Sequence, residues 1–227
     1  MIPKNTAKII RLLLRRTDRI GLNINQIAKA CEISVGSAFK ILKSLENDRL
    51  ASCQKIGNGS FYSLDLGNKE AVKICELLLL EERRNLKGYA RLYAKDIETF
   101  GKAKMIVLFG SVLRGNRFND VDALFVTERA KEAADFCDSL SAARTKVISP
   151  LIIPIYDLIR EMKKGGGVVG SIVKEGVIIK GEDSFVEAIR DGRKDHSIGM
   201  VPEEGKKAAK DQARPTRGRK THQKSGS

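Results

Sequence analysis

Apolar side chains recur every three or four residues along the first fifty positions, a spacing that predicts helices with one buried face. Three helices are expected, the second capped by Asn25 and the third covering 35–47 behind a Ser34 cap. Two short strands should follow at about 50–56 and 61–64, joined by a Gly-Asn-Gly turn whose residues tolerate positive φ. The predicted buried positions are Ile9, Ile10, Leu13 and Leu14 in the first helix, Ile27, Ala28 and Cys31 in the second, and Ala38, Ile41, Leu42 and Leu45 in the third.

The second half of the chain has strand-like patterns. An apolar run ends at Phe109, and a second one starts at Asp120, where side chains should alternate between two faces. Asp120 and Asp122 are therefore expected on one face of this strand, with the apolar residues between and after them on the other. A helix is predicted over about 130–140, followed by an apolar strand over 144–153.

Charge is unevenly distributed along the chain. The sequence has 42 basic and 28 acidic residues and a net charge of +14. Residues 1–67 hold 11 basic and 5 acidic side chains, and 191–227 hold 10 and 5, whereas the middle is nearly balanced. The charge asymmetry indicates that the N-terminal region faces a polyanion. Together with the predicted helices and strands, the sequence indicates an α+β protein of two domains: a basic domain at 1–67, a long helical connector at 68–100, and an α/β domain at 101–192. The region 193–227 has the composition of a disordered basic tail.

Cysteine and histidine usage excludes two classes of small protein. The four cysteines lie far apart without a Cys-x-x-Cys pair, and there are two histidines, so neither a zinc site nor a disulfide framework is expected. The beginning of the chain has no signal-peptide pattern, and no apolar run approaches the ~20 residues needed to cross a bilayer. We therefore expect buried free thiols in a cytoplasmic protein without a membrane partner.

The residues around the second strand carry candidate chemistry. Gly110 and Ser111 follow the apolar run that ends at Phe109, which would free backbone amides and a hydroxyl at a helix start for a phosphate. Asp120 and Asp122 come soon after and offer two oxygen ligands on one face of a strand. Mg²⁺ prefers a few carboxylates together with substrate phosphate oxygens. This combination predicts a site for a magnesium-bound nucleotide.

The same residues resemble the nucleotidyltransferase superfamily of DNA polymerase beta, whose small members carry Gly-Ser, then Arg-Gly, then Ser-Asp-x-Asp. The matching positions are Gly110, Ser111, Arg114, Gly115, Asp120 and Asp122, with Asn119 where the family usually has Ser. The resemblance implies a nucleotidyltransferase fold with a short mixed sheet. It also implies that Gly110, Ser111 and Arg114 bind a nucleoside triphosphate, with ATP expected. Asp120 and Asp122 would hold Mg²⁺ and act in catalysis.

The N-terminal order of elements resembles a winged helix-turn-helix domain, most specifically over residues 25–38. In that family the third helix enters the major groove of duplex DNA and the wing touches its backbone. The implied DNA contacts are Ser37, Lys40 and Lys43 on the helix and Lys55 and Asn58 on the wing. A protein-binding winged helix and a homodimer also stay open. Together, the two resemblances indicate a prokaryotic, archaeal-type fusion of a winged helix-turn-helix to a small polymerase-beta-like domain.

One expected catalytic residue is missing. The resembled enzymes usually place a third carboxylate on the next strand, but residues 146–153 contain none, and Asp157, Glu182 and Asp183 are the nearest later acids. Two functions remain open. The first is a slow Mg²⁺-dependent transfer of a nucleoside monophosphate from a nucleoside triphosphate to a protein or nucleic-acid hydroxyl, tethered to a DNA-binding winged helix. The second is a catalytically weak or inactive member of that fold acting as a DNA-binding transcription regulator.

Overall fold

The computed structural model describes residues 2–16, 20–115 and 117–194. Its first part consists of helices and a small antiparallel sheet, whose first strand lies between the first two helices. The sheet has the strand order β1-β3-β2, and both of its strand pairs are antiparallel. The elements are α1 (Lys4–Leu14), β1 (Leu22–Asn23), α2 (Ile24–Cys31), α3 (Val35–Asn47), β2 (Ala51–Ile56) and β3 (Gly59–Leu64).

Helix caps set the boundaries of α2 and α3. The Asn23 side chain accepts a hydrogen bond from the Gln26 N–H at 3.0 Å, and the Gln26 side chain accepts one from the Asn23 N–H. This reciprocal pair satisfies two free N–H groups at the start of α2. The sequence-based prediction of Asn25 as the cap is therefore wrong by two residues. Ser34 caps α3 as predicted, because its hydroxyl accepts from the Ser37 N–H at 3.1 Å.

The connecting region holds two helices, α4 (Lys69–Arg84) and α5 (Gly88–Glu98), where one long helical stretch was predicted. Gly88 has a φ of +54°, which an uninterrupted α-helix cannot contain. The chain therefore changes direction between the two helices. Helix α4 buries Leu78 and Leu79 in the core, while α5 buries Tyr93.

A second sheet of four strands follows, with the order β6-β5-β4-β7. Strands β5 and β6 are parallel and the other two pairs are antiparallel, so the sheet is mixed, as predicted. The elements are β4 (Met105–Phe109), a 3₁₀ turn (Gly110–Leu113), β5 (Asp120–Val126), α6 (Ala130–Ala142), β6 (Val147–Ile153), α7 (Ile155–Lys164), α8 (Gly167–Glu175), β7 (Val177–Lys180) and α9 (Glu182–Lys194).

The two faces of this sheet pack against different helices. Val121, Ala123 and Phe125 share a cluster of buried side chains with α5 and α6. Leu124 and Val126, on the opposite face, belong to a larger cluster that includes α4, α8 and α9 and extends to α1 and the small sheet. Alternation along β5 thus supplies one set of side chains to each core. The protein is a mixed α+β structure with two small sheets.

Two arginines connect α1 to the C-terminal elements. Arg193 on α9 donates to the carbonyl oxygens of Leu13 and Leu14, where α1 ends, and to that of Arg16. Arg15 donates to the carbonyl oxygen of Gly176 at 2.8 Å. These bonds satisfy carbonyl groups that a helix end leaves without a partner inside the helix.

The predicted division into 1–67, 68–100 and 101–192 stays a prediction. Of the predicted basic tail, Arg193 and Lys194 belong to α9, and the rest lies outside the described residues. Across the described ranges, no helix combines the length and the apolar character that a membrane span requires.

Candidate functional site

Two carboxylates share one face at the beginning of β5. Asp120 and Asp122 are half-buried, whereas Val121 and Ala123, which alternate with them, are fully buried on the other face. The alternation expected from the sequence is confirmed. The carboxylates lie where the apolar part of this face ends, because Leu124, two residues further along the strand, belongs to the core.

The turn after β4 approaches the second of these carboxylates. Phe109, the last residue of β4, pairs with Asp122 in the antiparallel register. Gly110 then takes a φ of +80°, and a Cβ atom built on it would overlap the carboxyl oxygen Oδ2 of Asp122. Only glycine allows this backbone conformation together with this approach at little cost. The close contact brings Ser111, the next residue, toward the same end of the sheet.

The form of this turn differs from the sequence-based expectation. Gly110–Leu113 is a 3₁₀ turn of four residues, where the start of a helix was predicted. The Arg114 N–H donates to the Ser111 carbonyl oxygen at 3.0 Å and closes the turn. Arg114 is exposed, and Ser111 is half-buried. A full helix dipole therefore does not contribute here, and the hydroxyl, the local amides and the guanidinium remain as the groups that could bind an anion.

The two carboxylates of the pair lie close enough for their negative charges to repel each other. Burial raises the pKa of the Asp122 carboxyl, and the nearby charge of Asp120 raises it further. No ion pair of either carboxylate is found within the part of the chain that the structure describes. A divalent cation would neutralise both charges with the hard oxygen ligands that Mg²⁺ prefers.

The neighbouring strand supplies no third carboxylate. In the parallel pairing of β5 with β6, Val147 lies beside Asp120 and Ser149 lies beside Asp122. Over the described ranges, no group of three or more His, Cys, Asp or Glu side chains has a metal-binding arrangement. Within the described ranges, Asp120 and Asp122 are therefore two carboxylates without a third acidic partner.

The later acids considered from the sequence have other surroundings. Asp157 lies in the first turn of α7 and pairs with Arg160 at 2.5 Å. Glu182 begins α9, and its Oε1 atom lies 3.8 Å from an Nη atom of Arg83. Asp183 is exposed in the same turn of α9.

The residues predicted to contact DNA lie on two neighbouring elements. Lys40 and Lys43 are exposed on α3, and Ser37 is half-buried there; Lys55 is exposed at the end of β2 and Asn58 in the turn that follows. Lys43 donates to Glu46 at 2.8 Å, and this hydrogen bond raises the pKa of the lysine.

Sequence reasoning missed the apolar part of the same α3 surface. Val35 is 48% exposed and Phe39 is 49% exposed. Both lie outside the predicted buried stripe of α3, and from that position their exposure could have been predicted. The face therefore combines two large apolar side chains with its lysines.

A cleft near the Gly110 turn was also missed. It has a volume of about 420 Å³ and is lined by residues of the stretch 85–90 and by Val112, Leu113 and Gly115. The wall formed by residues 85–90 exists because the chain turns between α4 and α5. No local sequence pattern indicated that this turn would meet the Gly110–Leu113 segment.

Comparisons of the chain with known protein families, with curated proteins and with solved structures find no match in any of the three.

Proposed function

We propose that the chain is a Mg²⁺-dependent nucleotidyltransferase that transfers a nucleoside monophosphate, with ATP as the expected donor, to a protein or nucleic-acid hydroxyl. The observation that carries the proposal is the pair of carboxylates on one face at Asp120 and Asp122. No basic side chain of the described residues forms an ion pair with either one, and the Gly110 turn packs against Asp122. Like charges held together on one face are costly unless a ligand compensates them. A magnesium-bound triphosphate is such a ligand.

Each residue of the site has a role in this chemistry. The Ser111 hydroxyl and the amides of the turn would hold the β- and γ-phosphates, and Arg114 would balance part of their charge. Asp120 and Asp122 would hold Mg²⁺, which supplies neutralisation of the charge that develops on the phosphate oxygens. The acceptor oxygen forms a bond to the α-phosphorus while the bond from that phosphorus to the bridging oxygen breaks, and pyrophosphate leaves.

The acceptor proton has no side-chain base of the expected kind. Ser149 lies where the strand beside Asp122 could have offered a carboxylate, so the proton passes to water or to a phosphate oxygen. A positioned general base contributes typically 10²–10⁴-fold to a rate. Transfer is therefore expected to be slow.

The proposal includes a two-domain organisation and a nucleic-acid partner. Residues 1–67 would form a winged helix that binds duplex DNA, 68–100 would connect, and 101–192 would form the transferase domain. The order of three helices and a hairpin supports the first part, as does the exposure of Lys40 and Lys55. A cytoplasmic location and a possible homodimer belong to the same proposal.

Calorimetry with Mg²⁺ and ATP tests the site. Binding should be lost in the Asp120→Asn/Asp122→Asn double variant. It should persist in Asp135→Asn/Asp138→Asn, a control with the same charge change at two exposed positions of α6. Equal affinity in the site variant and the parent would refute the metal role.

Labelling then tests the reaction itself. Label from α-labelled nucleotide should enter protein or RNA, whereas label from the γ-phosphate should not. Incorporation should be lost in Ser111→Ala and in the double aspartate variant. Label that persists in the double aspartate variant would refute the mechanism.

A second function, a DNA-binding transcription regulator with little or no transferase activity, is favoured by the serine beside Asp122. It predicts salt-dependent binding of duplex DNA without label transfer. Lys40→Ala/Lys43→Ala should weaken that binding. The matched control is Lys95→Ala/Lys131→Ala, which removes two exposed lysines outside α3. DNA affinity that is unchanged across a salt series in the α3 variant would exclude this helix as the contact surface.

A further inference from the structure

The cleft of about 420 Å³ is lined in part by residues of the 3₁₀ turn that begins with the proposed phosphate contacts Gly110 and Ser111. Val112 and Leu113 line the cleft, and they directly follow Ser111 in the same turn. Gly115, the residue after Arg114, lines the cleft as well. Ala90 and Val112 belong to the cluster on the α5 face of the sheet, whereas Asp122 lies on the opposite face. A ligand whose phosphates contact Ser111 at the end of the sheet would therefore reach the cleft by passing along this segment from one face to the other. The volume falls in the range of about 300–1,000 Å³ that small-molecule sites usually have.

The cleft offers an aromatic surface. Tyr89 lines it and is 44% exposed. Its ring makes an edge-to-face contact with Phe118, with 5.5 Å between the ring centroids. This contact limits the motion of the tyrosine ring while much of the ring remains open to a ligand. Buried Val112 and Ala90 add apolar contact area.

Two polar side chains of the same cleft have unused hydrogen-bonding capacity. Asn85 and Lys87 are exposed, and neither side chain has a hydrogen-bond or ion-pair partner within residues 2–16, 20–115 and 117–194. The Asn85 amide provides both donors and an acceptor, the combination that can pair with the edge of adenine. The Lys87 ammonium provides a positive charge for a phosphate.

We propose that this cleft binds the nucleobase and sugar of the nucleoside triphosphate, with the base on the Tyr89 ring and its edge against Asn85. This inference rests on the proposed function, because Ser111 and the aspartate pair would hold the phosphates of the same molecule. Stacking on an aromatic ring accepts any base, so Tyr89 sets affinity. Asn85 sets a preference for adenine.

The test compares two ligands in the presence of Mg²⁺, ATP and inorganic triphosphate, by calorimetry. Removing a stacking aromatic side chain costs ~1–3 kcal/mol per base, or roughly five- to 150-fold in affinity. Tyr89→Ala should weaken ATP binding by about that factor and leave triphosphate binding unchanged. Tyr89→Phe should retain the affinity for ATP. The matched control is Tyr156→Ala, which removes a 62% exposed tyrosine on α7 and should change neither affinity.

A further variant tests recognition of the base edge. Asn85→Ala should reduce the preference for ATP over CTP while changing triphosphate binding little. Because Asn85 is exposed, this variant is expected to fold like the parent, which urea unfolding checks.

The outcomes separate this inference from the proposed function. If the parent protein binds triphosphate and ATP equally and Tyr89→Ala changes neither, the base lies elsewhere and the inference fails while the phosphate site stands. Equal weakening of both ligands in Tyr89→Ala also overturns the inference, because it indicates a structural effect. If the parent binds neither ligand, the proposed function fails and this inference fails with it.

Discussion

Replacing Gly110 with alanine tests how the turn and the carboxylate pair depend on each other. Gly110 has a φ of +80°, and an added Cβ would overlap the Oδ2 atom of Asp122 and lie 3.0 Å from its carboxyl carbon and 3.2 Å from its Cβ. Three atoms of one side chain are thus in the way, so rotating the carboxylate alone does not relieve the contact. Either Asp122 or the turn must move. We expect Gly110→Ala to lower stability and to abolish Mg²⁺-dependent ATP binding together.

The magnitude follows from two controls on the same chain. Gly57 has a φ of +56° with no atom within 4 Å of an added Cβ, so Gly57→Ala measures backbone strain alone, at about 1 kcal/mol. Gly36 lies within α3 with similar open space and no positive φ, so Gly36→Ala should stabilise by ~0.5–1 kcal/mol. Gly110→Ala adds steric overlap, typically 1–3 kcal/mol, to the strain. We expect a total loss of about 2–4 kcal/mol.

Urea unfolding of the three variants and calorimetry with Mg²⁺ and ATP measure both effects. The two controls should bind ATP like the parent protein, because they lie outside the site. A Gly110→Ala protein no less stable than Gly57→Ala would refute the close approach of the turn to Asp122. A destabilised Gly110→Ala protein that keeps full ATP affinity would refute the role of this approach in binding.

Three further predictions concern individual side chains. Because the pKa of Asp122 is raised in the folded state, its charge costs stability above that pKa. Asp122→Asn should therefore be more stable than the parent at pH 7 in urea unfolding without Mg²⁺, and a difference that does not vanish below about pH 4 would contradict this. Arg193→Ala should lose ~2–3 kcal/mol of unfolding free energy, because the Arg193 guanidinium donates to carbonyl oxygens at the end of α1. This guanidinium is largely buried, and burial lowers its pKa to about 10. Arg190→Ala, on the same helix, should stay within about 0.5 kcal/mol of the parent, and an equal loss in both variants would exclude the helix-capping role. Burial raises the pKa of the Cys75 thiol to about 12, so a thiol reagent at pH 8 should label half-buried Cys53 first, and early labelling of Cys75 would show that α4 opens.

Local sequence determined several features of this protein by itself. The same-face arrangement of Asp120 and Asp122 follows from alternation within one strand, and no distant residue is needed to predict it. The span of α3 follows from helical spacing and a Ser34 cap, both of which act within a few residues. The lack of an acid in residues 147–153 is read directly from the sequence, and the structure adds that these residues form a strand beside β5.

Tertiary structure decided what lies next to these residues. Asp122 meets Gly110 because β4 and β5 pair in one antiparallel register, and it lies beside Ser149 because β6 pairs in parallel. Hydrophobic alternation has a period of two, so it specifies which face of the sheet a side chain lies on. It does not specify which strand lies beside it, or by how many residue pairs the two strands are offset. The N-cap of α2 was predicted at Asn25 rather than at Asn23, because the two asparagines lie two residues apart and have the same capping side chain. The cleft at Tyr89 depends on a break between helices meeting a distant turn, and such a contact is set by packing, which periodicity in one segment does not encode.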